Sequence, residues 1–385
     1  MLSSEPAFSK TQVRALWVEC EGTNETLSSK EKIRALVETA AQNHFNLLYV
    51  QIFRGNQAWY RSQLLPNQPY QNFLKKEKID LLQFLIDEAH KRNIEVHAWV
   101  NQMRVVRNPQ KSYPILDKLG RDAITRNGKG VSLLDFPQDK LPDGGYWLDP
   151  GDLKVQRFLA DVAEEVVRNY PKLDGYHLDF IRIPFDAPYA GSMWDGGKGF
   201  GYGKKSVERF RAKTGIDPMK MERTRANAQK WDDWRREQIS DVVRTVAKRV
   251  KSVNAKMEVT AAAMCWPDRA YLSSFQDWGQ WLEEGSVDAV ISMNYSIDSR
   301  FVNRLSRQAL ALKRGSQVYI GLGSYLLEEQ LKDFSRQIEE TLALNPDGIA
   351  FFSYDSMLKK PEMFQIAKQQ FETKKSKRIS LLPQN

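Results

Sequence analysis

Residues 173–184 read LDGYHLDFIRIP. Tyr176, Leu178 and Phe180 belong to a buried strand, yet His177, Asp179 and Arg182 stand along its second half. An ionised carboxylate taken out of water is costly unless it is paired, hydrogen-bonded or set at a solvated edge. Asp179 is therefore either compensated or used.

Seven further runs of the same kind flank this one: VRALWVE (13–19), FNLLYVQI (45–52), IEVHAWVN (94–101), MEVTAAAMCW (257–266), VDAVISMNY (287–295), QVYIGLGSY (317–325) and DGIAFFSYD (347–355). Amphipathic helical patterns separate them. One opens at Ser28 or Ser29 with Glu31 in its first turn, a capping arrangement. Another, long and amphipathic, follows Asp149 and Pro150. Near-continuous apolar strands alternating with such helices imply a parallel sheet covered on its outer side, and eight units imply closure. The expected fold is α/β, a (β/α)8 TIM barrel with long loop insertions after strands 3 and 4. The first insertion is about fifty residues, too long for a plain connector; the second, FDAPYAGSMWDGGKGFGYG (185–203), is dense in glycine and aromatics. A doubly wound sheet is disfavoured, since no glycine-rich phosphate loop follows any strand and GLGSY lies within strand seven. Residues 1–12 read as an extension, 13–373 as the catalytic barrel and 374–385 as a basic tail.

Composition agrees with a folded chain: 42% of the 385 residues are hydrophobic and 27% charged. The net charge is +9, part of it from Lys374, Lys375, Lys377 and Arg378 in the tail. No RNA signature of interleaved aromatic and basic residues and no recognition helix is present, so nucleic acid is not an expected partner. Association with an anionic cell wall or membrane surface stays open. Cys20 and Cys265 give neither a disulfide framework nor metal spacing, and His44 and His90, two of only four histidines, sit in helix tails. No metal or other cofactor is expected. The start MLSSEPAFSKTQ has no apolar signal core. As it stands the chain reads as cytoplasmic, or as exported to the periplasm or cell envelope if a leader has been cleaved.

In a barrel of this kind the site lies at the carboxyl ends of the strands. There stand Glu19; Gln51 and Arg54; Trp99 and Asn101; His177, Asp179 and Arg182; Trp266 and Asp268; Asn294 and Tyr295; Ser324 and Tyr325; Tyr354 and Asp355. Aromatic faces mixed with carboxylates and amides suit sugar rings and their hydroxyls, so the expected partner is a polysaccharide or oligosaccharide. Glycosidic cleavage uses two carboxyl groups, about 5–5.5 Å apart for retention or about 6.5–9.5 Å for inversion. Asp179 is the expected nucleophile or base, with His177 on the same side of the pleat and Arg182 near enough to hold it ionised. The plainer reading makes Asp179 and Arg182 a loop-pinning ion pair. For the proton donor Glu19, Asp355, Asp268 and Asp149 remain unranked; Asp149 and Asp268 equally suit helix caps. Substrate contacts are expected from Arg54, Trp99, Asn101, His177, Arg182, Trp266, Asn294, Tyr295, Tyr325 and Tyr354. Trp17, Trp231 and Trp234 read as packing residues, and GFGYG (199–203) as a lid or an ordinary glycine turn. A glycan-binding barrel without catalysis is the alternative.

The segments RALWVE, DGYHLDFIRIP, FGYG, WRREQI, ISMNYS, GLGSYL and FFSYD, in this order over residues 13–370, resemble the glycosyl-hydrolase-like family ten, a bacterial family formerly catalogued as a domain of unknown function. The resemblance implies a (β/α)8 barrel distantly related to glycosidase clans, with Asp179 as catalytic residue. An enterobacterial relative is regarded as a lipoprotein that cuts peptidoglycan glycan strands stripped of their peptides. That implies a cell-wall substrate, and the carboxylate of muramic acid would suit a basic protein. This chain differs from that relative in showing no leader.

Overall fold

The computed structural model describes residues 12–55, 57–106, 114–184 and 198–380. Eight parallel strands form the ring: β1 (Val13–Val18), β2 (Leu47–Arg54), β3 (Glu95–Asn101), β4 (Gly175–Asp179), β5 (Glu258–Met264), β6 (Ala289–Met293), β7 (Gln317–Leu322) and β8 (Gly348–Phe351). Each pairs with its neighbours in sequence, and β1 pairs with both β2 and β8, so the sheet closes and leaves no edge in the ring. The expected barrel is the observed one.

Two shells of apolar packing follow from the closure. Ala15, Trp17, Leu47, Tyr49, Trp99, Ala289, Ile291, Tyr319 and Ala350 point inward and fill the ring. The alternate residues, such as Leu16, Leu48, Leu178 and Val290, pack outward against the helices, which is why these strands read as continuous apolar runs. Gly175 has no room for a side chain: a Cβ there would lie 2.4 Å from the His97 ring.

Helix starts follow local chemistry. Ser29 accepts from the Lys32 N–H and caps Lys30–Gln42. Asp152, not Asp149, caps Leu153–Asn169 by accepting from the Lys154 N–H at 2.8 Å. The strands stop earlier than the apolar runs. Ser353 caps the helix Tyr354–Lys359, and Trp266, at φ 61°, precedes the short helix Pro267–Arg269. The last helix runs from Glu362 to Ser380. Among the described residues no helix is long and apolar enough to cross a membrane.

The insertion after β3 carries its own short antiparallel pair, Arg104–Val106 with Gly145–Trp147. It is stitched to the barrel mouth by the Gln102 N–H, which donates to the Asp179 carbonyl at 2.8 Å. Of the insertion after β4, residues 185–197 lie outside the described residues. Its end, GFGYG, is no lid. Phe200 and Tyr202 are buried, the Phe200 carbonyl accepts from Arg235 Nη1 at 2.6 Å, and Tyr202 packs on Trp231 at 5.0 Å. Trp231 and Trp234 are buried packing residues, as expected.

Asp149 is the anchor for that segment. Its carboxylate accepts from the N–H groups of Gly151 and Gly203 and from the Thr125 hydroxyl. Burial nevertheless outweighs these bonds and pushes its carboxyl up to about 7. In the unfolded chain an aspartate titrates near about 3.9. Between those values the folded protein holds a proton that the unfolded chain releases, so this group's contribution to stability falls as pH rises from about 4 to about 7. Denaturant unfolding at the two ends of that window should show a loss on the order of a few kcal/mol. Asp149→Asn should flatten the slope; an unchanged slope would refute the assignment.

Candidate active site

The carboxyl ends of the strands surround a cleft of about 560 Å³. Its two halves differ in chemistry. Glu19, Gln51, Arg54, Asn101, Asp179 and Arg182 come from β1 to β4 and their ends, joined by Arg104 and Asp143 from the β3 insertion. Ala262, Met264, Met293, Tyr295, Tyr325 and Phe352 come from β5 to β8, and Trp17 and Trp99 lie between.

Asp179 ends β4 opposite Asn101 in the register. Phe180 adopts φ 50°, a left-handed conformation uncommon for a bulky residue. That turn brings the Phe180 N–H onto Asp179 Oδ1 at 2.6 Å, while Trp99 Nε1–H donates to Oδ2 at 2.9 Å. Each carboxylate oxygen thus has a fixed donor. Burial raises the Asp179 carboxyl above its ordinary value, opposed by the two N–H bonds and then by the charges of Arg182 and Arg104.

Arg182 stacks its guanidinium 4.6 Å from the centre of the Trp147 ring and donates from Nη2 to Asp143 Oδ2 at 2.8 Å. Arg104 stacks on Phe180 and donates to the Asp143 carbonyl. The insertion therefore brings a carboxylate and a guanidinium to the wall beside Asp179.

On the other flank Glu19 accepts from the Ser353 hydroxyl at 3.0 Å and lies 3.6 Å from Arg54 Nη1. Its side chain is 22% exposed. Gln51 accepts from the Cys20 thiol and donates to Asn101 Oδ1 at 3.3 Å, which continues the polar row along the strand ends. Tyr295 stacks on Phe352 with ring centres 5.8 Å apart. Burial pushes its phenol well up, helped by the negative charge of Asp179 and, more weakly, of Glu19.

Several expected site residues stand elsewhere. His177 is fully buried below the floor, with Nδ1 2.8 Å from the Thr260 hydroxyl. Its Nε2 accepts from Trp17 Nε1 at 3.2 Å, so the neutral ring carries its proton on Nδ1. Burial, aided by His97, pushes its pKa well below the usual value. It supports Trp17, which lies in the core as expected and whose ring also forms part of the cleft floor. Asn294 turns outward, donating to the Ser306 hydroxyl and accepting from that of Ser292. Tyr354 packs against Phe364 on the helix side. Asp355 accepts from the Asn24 N–H at 2.7 Å and pins the loop after β1. Trp266 and Asp268 are outside the cleft lining, carried off by the turn that starts the next helix. Asp149 is buried under the Gly203 backbone.

Of the acids weighed as partners for Asp179, Glu19 alone lines the cleft. Asp143 joins it from a Pro-Asp-Gly-Gly turn where it adopts φ 51°. That turn was the signal available in sequence, but nothing local says that it folds over the mouth. Arg104, Phe180, Met264, Met293 and Phe352 were likewise overlooked. Among the described residues no group of three or more His, Cys, Asp or Glu could hold a metal ion.

A closed parallel barrel with carboxylates and aromatics gathered at its carboxyl mouth is the architecture of the glycoside-hydrolase-like barrels. The chain belongs to the Glycosyl hydrolase-like 10 family, whose model matches residues 12–334. It is 26% identical over 308 residues to the glycosyl hydrolase DigH of Escherichia coli K12, covering 74% of this chain and 64% of that one. It is 25% identical over 321 residues to the glycosyl hydrolase YngK of Bacillus subtilis, covering 75% and 55%. The chain thus spans under two thirds of the length of these curated relatives. Among solved structures, the PgaB (BpsB) glycoside hydrolase domain from Bordetella bronchiseptica superposes with TM-score 0.64 at 12% identity, covering 93% of this chain and 98% of that one. The catalytic domain of a β-amylase from Paenibacillus polymyxa gives 0.59 at 11%, covering 90% and 93%. These structures share the fold.

Proposed function

We propose that the protein hydrolyses glycosidic bonds of a polysaccharide, the peptide-free glycan strands of peptidoglycan, with Asp179 as nucleophile or base and Glu19 as proton donor. The observation that carries this reading is the Asp179 carboxylate, fixed by two N–H donors in a cleft that also holds Glu19. The raised carboxyl of Asp179 makes it a better base. Glu19 protonates the departing glycosidic oxygen. Asp179 then either bonds to the anomeric carbon, in an intermediate that water later opens, or takes a proton from the water that attacks. The anomer of the first product distinguishes the two routes.

The substrate is the one the family resemblance implies, and the net charge of +9 suits a carboxylate-bearing polymer or an anionic wall. Such a substrate sets the protein's work in the periplasm or cell envelope. The test is incubation of purified protein with peptide-free strands, with sized products read by mass spectrometry. Strand binding without product release would leave a glycan-binding barrel instead.

Two variants probe the roles. Glu19→Gln should slow cleavage of strands by about 10²–10³-fold, yet spare a dinitrophenyl glycoside whose leaving group needs no proton. Equal losses on both substrates would remove Glu19 as the acid. Trp99→Phe keeps the ring and deletes the N–H that Asp179 accepts. Its kcat should fall roughly ten- to a hundredfold with KM nearly constant, and an unaltered kcat would return Trp99 to packing.

A further inference from the structure

Among the described residues the exposed aromatic side chains are Tyr271, Phe301 and Tyr325, at 36%, 38% and 45%. All three follow consecutive strands of the ring, β5, β6 and β7, and so share the carboxyl face with the cleft. Tyr325 belongs to the cleft lining and packs edge-on against Phe352 at 6.0 Å. Phe301 stands in the first turn of the helix Ser299–Ala311, whose start Asp298 caps. Tyr271 is held from beneath. The Arg236 guanidinium lies 3.5 Å from its ring centre, and Arg236 is itself buried and paired with Asp233 at 2.8 Å. One face of that ring is thus occupied by a fixed cation while the ring remains open to solvent.

Exposed rings offer flat apolar faces to the C–H faces of sugars, at little cost in side-chain ordering where a neighbour already fixes the ring, as Arg236 does for Tyr271 and Phe352 for Tyr325. The charged groups of the mouth come from β1 to β4 and the β3 insertion, on the opposite flank. We infer that Tyr325, Phe301 and Tyr271 form a row of further sugar subsites, so that the enzyme grips a chain several sugars long on the β5 to β7 side of the cleaved bond and selects long strands over short ones. The inference rests on the hydrolytic reading above. Continuity with the cleft through Tyr325 is what assigns the rim to the same glycan.

Equilibrium binding of size-fractionated, peptide-free glycan strands to Asp179→Asn protein separates the two. The expected result is affinity that rises with strand length, and long-strand binding weakened roughly tenfold by Tyr271→Ala or Phe301→Ala added to that background. Tyr271→Phe, which retains the ring, should bind as its parent does. Length-independent binding, or alanine variants that bind long strands as tightly as the parent, would overturn the subsites and leave the hydrolytic reading standing. Absence of binding at every length would overturn the substrate and the subsites together. A dimer dissolved by Phe301→Ala, with glycan affinity unmoved, would assign the rim to a second copy and sink the proposal.

Discussion

Asp179→Asn protein should cleave glycan strands at least about a thousandfold more slowly than the parent, through loss of the nucleophile or base. The substitution keeps the volume, so no cavity opens beneath Phe180. It also removes the cost of holding a charge at this buried position, the cost that raises the Asp179 carboxyl. Against this, an amide can accept from only one side. One of the two donors now facing the carboxylate, Trp99 Nε1–H or the Phe180 N–H, would then meet an NH₂ group. An unmade buried hydrogen bond costs about 1–3 kcal/mol, which a chain of this size should survive folded. Product formation by mass spectrometry, with circular dichroism and a melting curve as controls, reads both effects. A folded variant of normal rate would remove Asp179 from the mechanism.

The largest expected loss of stability lies away from the cleft, at Arg235. This side chain is 1% exposed. Its Nη2 donates to Asp232 Oδ1 at 2.5 Å, its Nη1 to the Phe200 carbonyl, and its guanidinium lies 4.1 Å from the centre of the Phe275 ring. Arg235→Met removes the counter-charge from Asp232 and the donor from the Phe200 carbonyl in one step. Breaking one side of a buried pair costs about 3–5 kcal/mol, so the denaturation midpoint should drop clearly. Arg235→Lys should rescue little, because a point charge cannot reproduce a planar group that bonds at both ends and stacks on a ring. A midpoint unchanged in Arg235→Met would show that the GFGYG segment is held by other contacts.

The ring of strands was legible because a strand buried on both faces needs nearly every residue apolar, and helices between such strands need a period of 3.6. The same reasoning set Asp179 at a strand end, where a carboxylate can be tolerated. Which way the residues just beyond a strand turn was not legible. Tyr354 and Asp355 were expected in the cleft, but Ser353 starts a helix there and turns them out of it, Tyr354 onto Phe364 and Asp355 onto the Asn24 N–H in the loop after β1. Asn294 faces outward because Ser306 on the neighbouring helix supplies a partner.

Asp143 and Arg104 lie far from Asp179 along the chain, and both meet it at one wall of the cleft. Their place depends on the path of a long insertion, set by the paired strands Arg104–Val106 and Gly145–Trp147 and by the Gln102 N–H on the Asp179 carbonyl. Local pattern therefore determined the elements, their order and the acid at the end of β4. Tertiary structure alone decided which carboxylates and guanidinium groups join that acid, because cap geometry and loop docking depend on contacts between residues distant in sequence.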